Sequence, residues 1–63
     1  PQAARLRSSY SRSYPSIDPS HWYRVTGEGT SVPGYWLEDA GGIAFVTGGR
    51  WFVYAGHLEV REE

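Results

Sequence analysis

The chain has no cysteine and no lysine, and nowhere in its 63 residues does an apolar run approach the ~20 residues of a membrane-spanning helix. Without cysteine there is neither a disulfide framework nor a thiolate metal site. A reducing compartment is then the expectation. The first sixteen residues, PQAARLRSSYSRSYPS, are polar and lack the apolar core of a signal peptide. Together these absences predict a soluble, cytoplasmic protein with no membrane span, either on its own or held on a larger assembly. At this length there is one domain at most, and a single core of that size supplies roughly 3–5 kcal/mol. Three Trp, five Tyr and two Phe must carry the packing, because each buried aromatic removes about 150–250 Å² from water.

The charge is unevenly spread. Over residues 1–20, Arg5, Arg7 and Arg12 face only Asp18, a net of +2. Over residues 21–63, Arg24, Arg50 and Arg61 are outnumbered by Glu28, Glu38, Asp39, Glu59, Glu62 and Glu63, a net of −3. An acidic body argues against a duplex-binding surface, since neutralising phosphates supplies most non-specific affinity.

Residues 1–20 also differ in composition, with six serines, three prolines and two tyrosines. Such a segment buries too little apolar surface to offset its chain entropy. It reads as an N-terminal arm, either a disordered tail or a segment that orders on docking. Asp18-Pro19-Ser20 is a turn leading into a first strand over His21–Thr26, with Tyr23 and Val25 on one face and Trp22, Arg24 and Thr26 on the other. Gly27–Pro33 is a loop, Gly34–Glu38 a second strand, and Asp39–Gly42 a further turn. No stretch carries a convincing helical period, and short strands at this spacing predict a small barrel or sandwich.

The segment IAFVTGGRWFVYAGHLEV, Ile43 to Val60, is the most informative. Two apolar runs separated by Gly48-Gly49 predict a tight hairpin, because glycine adopts the positive φ that both central residues of a type I′ turn require. The turn pairs Thr47 with Arg50, Val46 with Trp51, Phe45 with Phe52, Ala44 with Val53 and Ile43 with Tyr54. Both faces of this hairpin are apolar, so both should be covered, by the rest of the barrel, by the arm or by a partner. The face with Ala44, Val46 and Val53 is expected to point inward.

The run Phe52 to Val60, FVYAGHLEV, resembles the end of SH3-like barrels, in which a fourth strand enters one 3₁₀ turn and then a short fifth strand. The resemblance implies that Val53, Ala55 and Leu58 are core and that Tyr54 and His57 stand at positions lining the peptide groove of SH3 domains. The chain departs from that pattern in three places. It has no ALYDY-type motif, the loop Gly27–Pro33 after the first expected strand is shorter than an RT loop, and Tyr54 replaces a proline. The resemblance therefore implies the fold more than the peptide ligand. The length is also similar to that of Tudor-like and KOW-like minimal barrels.

Nothing in the chain spells out catalysis. His21 and His57 lie far apart in sequence, no nucleophile-elbow motif accompanies the serines, and Gly27-Glu28-Gly29 lacks the Lys-Ser/Thr of a phosphate loop. The expectation is a protein that is not an enzyme and holds no metal or cofactor. A barrel of this size cannot bury all its aromatics, which leaves Trp22, Trp36 and Tyr54 foremost at the surface, where Trp and Tyr are enriched at binding hot spots.

The sequence thus predicts an all-β, SH3-like barrel of four to five short antiparallel strands over residues 21–63, behind an irregular arm over residues 1–20. Its expected role is that of a protein-interaction or structural subunit docking onto a larger complex, with Arg5, Arg7, Tyr10, Arg12, Tyr14, Trp22, Trp36, Tyr54 and His57 as partner-binding residues. The alternative is a small nucleic-acid-binding module, with arginines on phosphates and aromatics on bases.

Overall fold

The computed structural model describes residues 1–38 and 50–63. Among these are five antiparallel strands forming one curled half-barrel sheet: β1 (Gln2–Leu6), β2 (Tyr23–Glu28), β3 (Gly34–Glu38), β4 (Trp51–Tyr54) and β5 (Leu58–Glu62). The sheet order is β4-β3-β2-β1-β5. Two 3₁₀ segments complete the elements, Ser8–Ser13 after β1 and Ala55–His57 between β4 and β5. The all-β expectation is met.

β3 has the bounds read from the sequence. Alternation sets its faces: Leu37 is fully buried and Tyr35 packs on the core, while Trp36 lies on the other face. β2 starts at Tyr23 rather than His21 and keeps the expected faces, with Tyr23 buried and Arg24 and Thr26 exposed. Its register against β3 shifts between Val25 and Gly27, a bulge at Thr26. β4 pairs with β3 from Gly34↔Tyr54 to Leu37↔Trp51. The expected Gly48-Gly49 hairpin partner, Ile43–Thr47, lies outside the described residues, as do the inward positions Ala44 and Val46. Val53, on the face expected to point inward, is fully buried.

The reading of residues 1–20 as an arm outside the barrel is corrected. β1 sits between β2 and β5, pairing Ala3↔Arg24 and Ala4↔Tyr23 on one side and Gln2↔Glu62 through Leu6↔Leu58 on the other. Ala4 and Leu6 enter the core with Ile17, Tyr23, Leu37, Val53 and Leu58. Two neighbouring strands satisfy the backbone of this short segment, which its own composition does not mark as a strand. Among the described residues, the long connection is therefore residues 7–22, after β1, ahead of the short loop read as following the first strand. The connection is tied down by buried Ile17 and by hydrogen bonds from Ile17 N–H to the Tyr14 carbonyl (3.0 Å) and from Asp18 N–H to the Tyr23 hydroxyl (2.9 Å). Ala55, matched to a core position by resemblance, is only half-buried.

Candidate functional site

The 3₁₀ turn Ala55–His57 brings two aromatic positions to the surface beside the first 3₁₀ segment. Arg7 N–H donates to the His57 carbonyl at 2.9 Å, which fixes the long connection against this turn. Tyr10 then stacks on the His57 ring, with centroids 3.9 Å apart and planes 19° off parallel. Tyr14 meets the same ring edge-on at 5.7 Å, and its hydroxyl shares a 2.9 Å hydrogen bond with His57 Nδ1. Tyr54 approaches His57 from β4 at 5.5 Å, edge to face. The row of rings continues along β4 and across to β3: Tyr54 to Phe52 at 6.1 Å, and Phe52 to Trp36 at 5.2 Å. Edge-to-face and offset contacts of this kind are favoured by the ring quadrupole. Tyr54 is 51% exposed and Tyr10 38%, so the row is an open platform rather than core.

The platform ends at an open cleft of about 340 Å³ bounded by the loop Gly29–Val32 and by Trp36 and Phe52. Two glycines pack closely against the Phe52 ring that lines it. A Cβ on Gly34 would stand 2.5 Å from the Phe52 ring and 2.6 Å from the Val53 carbonyl, and one on Gly29 would meet the Val32 carbonyl and the same ring. Glycine is therefore required at both positions by close approach. The Arg50 guanidinium lies 4.7 Å from the ring centroid of Trp36, one of the residues lining the cleft.

Trp22 occupies a different place. Arg5 and Arg61 lie over its ring at 4.7 and 4.0 Å. Arg5 also pairs with Glu59 across β1 and β5 at 3.1 Å, and Arg24 with Glu38 across β2 and β3 at 3.7 Å. Exposed pairs of this kind are worth roughly 0–1 kcal/mol, and Arg61 makes a further one with Glu63 at 3.3 Å. Arg7, Arg12 and Arg50 are exposed and have no ion pair among the described residues.

Of the residues expected to bind a partner, the structure gathers Tyr10, Tyr14, Tyr54 and His57 at one place and links Trp36 to them through Phe52. Arg7 and Arg12 flank Tyr10 along the first 3₁₀ segment. Arg5 and Trp22 belong to a separate cluster on β1 and β5. Sequence reading missed Phe52 as the connecting ring and the loop Gly29–Val32 as a cleft wall. The signal for both is an aromatic in β4 opposite Trp36, with glycines at positions 29 and 34 leaving room for its ring. Elsewhere, Ser20 donates from both its hydroxyl (2.7 Å) and its backbone N–H (2.9 Å) to Asp18 Oδ1. These two bonds hold the Asp18 carboxyl below the usual 3.8. Among the described residues, no three His, Cys, Asp or Glu side chains gather as a metal-binding group would, and no helix is long and apolar enough to cross a membrane. No protein-family model, curated protein or solved structure matches the chain.

Proposed function

We propose that this protein is a non-catalytic interaction module of the SH3-like barrel type, which docks onto a protein partner or larger assembly through the platform of Tyr10, Tyr54 and His57. The observation that carries this reading is the continuous row of rings from Tyr10 to Trp36, with its two most exposed members at the centre and one end. Rigid Tyr and Trp surfaces give large contact area at low entropic cost and dominate binding hot spots. The strand order, the long connection after β1 and the 3₁₀ turn before β5 support the SH3-like assignment. A binding role for His57 is supported by its ring being held by the Tyr10 face and the Tyr14 hydroxyl.

Attachment through a free N-terminal arm is replaced by attachment through the connection Arg7–Trp22, because β1 is a sheet strand. The test is affinity capture from a nuclease-treated lysate of the source cells, using wild type, Tyr54→Ala and Trp22→Ala. Retention of a protein by wild type and Trp22→Ala but not by Tyr54→Ala is expected. Equal capture by all three contradicts the assignment of the surface.

A second reading, nucleic-acid binding, draws on Arg7 and Arg12, exposed on either side of Tyr10 and without ion pairs among the described residues. It requires an affinity that falls steeply with salt. Trp22 is not available to it as a stacking surface, since guanidinium groups lie over its ring.

A further inference from the structure

We infer that the cleft at the Trp36 end of the platform is a second subsite, and that it takes a peptide segment with a large apolar side chain next to a carboxylate. This rests on the reading of the surface as a docking face, and it names the chemistry of what docks there. The cleft of about 340 Å³ presents Trp36, Phe52 and Val32, with Gly29 in its wall and Gly34 packed against the Phe52 ring. That volume suits one large side chain. One cation lies against a ring that lines the cleft. Arg50 lies 4.7 Å over the Trp36 ring and has no ion pair among the described residues. A guanidinium packed against an indole still has N–H groups to offer a carboxylate as a planar fork.

The contrast with the other strand arginines sharpens the assignment. Arg5, Arg24 and Arg61 each already have a glutamate. Arg50, without an ion pair among the described residues and set against the cleft-lining Trp36, is left for a carboxylate from outside; Arg7 and Arg12 also lack an ion pair there, but they lie at the Tyr10 end of the platform. One fork suits one carboxylate. A nucleic-acid strand carries a charge on every nucleotide, and this end of the platform offers a single arginine. Gly27 gives an internal handle, because a Cβ there would meet the Trp36 ring at 3.6 Å and Arg50 Nη2 at 3.9 Å, ordinary contact distances. A carboxylate side chain placed at Gly27 would reach the same fork.

The experiment selects a random heptapeptide display library on the full chain. Enriched peptides are then measured by fluorescence polarisation against wild type, Arg50→Ala, Arg50→Lys, Gly27→Glu and Tyr54→Ala, each first checked for the wild-type circular dichroism spectrum. Enriched peptides should carry an aromatic or large aliphatic residue beside Asp or Glu. Arg50→Ala should weaken them about tenfold or more, Gly27→Glu should do the same by self-pairing, and Arg50→Lys should recover only part. No enrichment, enrichment without an acidic residue, or affinity unchanged in Arg50→Ala would each overturn the subsite. Loss in Tyr54→Ala with none in Arg50→Ala would remove the subsite and keep the platform. Loss in Arg50→Ala with none in Tyr54→Ala would keep the subsite and remove the platform. Tighter, Arg50-dependent binding of an oligothymidylate of about 12 nucleotides would overturn the assignment in favour of nucleic acid.

Discussion

Gly34 shows how one residue without a side chain shapes the surface. Its place in β3 faces the ring of Phe52, and the Val53 carbonyl lies behind it. Gly34→Ala should therefore force the β3–β4 contact apart and destabilise the fold by about 1–3 kcal/mol, measured by urea unfolding. It should also displace Phe52, which a changed indole environment at Trp36 would report by fluorescence. Asp18 acts in the opposite sense, through what its side chain accepts. The Ser20 hydroxyl and then the Ser20 N–H stabilise the charged carboxylate, so its folded pKa lies below 3.8. A lowered folded value contributes stability above the unfolded value and loses it as pH falls through the folded one. Asp18→Ala should thus be less stable than wild type at neutral pH, with the gap closing below about pH 3.8. A gap that stays constant down to acid pH contradicts the role given to Ser20.

At the scale of elements, β1 is the strand the sequence conceals. Its apolar content is Ala3, Ala4 and Leu6, and two alanines give little signal of alternation. Ser, Tyr and Arg follow immediately, so the composition of residues 1–20 resembles a tail. The strand forms because β2 and β5 bracket it and because Leu6 fills core space. Leu6→Ala should cost about 2–5 kcal/mol, an effect that chemical denaturation detects and that an arm residue would not produce. Removing residues 1–6 should abolish cooperative unfolding. β3 and the run from β4 into β5 were legible because period-two alternation and the resemblance of Phe52–Val60 each stand on local residues. The Tyr10 and Tyr14 contacts with His57 were not, since they join positions more than forty apart in sequence. Local pattern carries no information about which loop a long connection returns to.

For the whole molecule, the surface divides by how its arginines are used. On the β1–β5 side, Arg5 and Arg61 cover Trp22 and pair with Glu59 and Glu63. That cluster is internally satisfied, and Trp22→Ala should lower stability while leaving partner affinity within about twofold. On the platform side, exposed Tyr10 and Tyr54 and half-buried His57, Phe52 and Trp36 run between Arg7 and Arg12 at one end and Arg50 at the other, and Tyr54→Ala should lower affinity by more than ~1 kcal/mol while leaving stability nearly unchanged. The measurement that tests this division most directly is photo-crosslinking in the source cells, with a benzophenone amino acid at position 54 or at position 60, two exposed apolar positions of which only Tyr54 is on the platform. A discrete, nuclease-resistant protein adduct from position 54 and none from position 60 is the predicted result. No adduct from position 54, or the same adduct from both positions, would contradict the account.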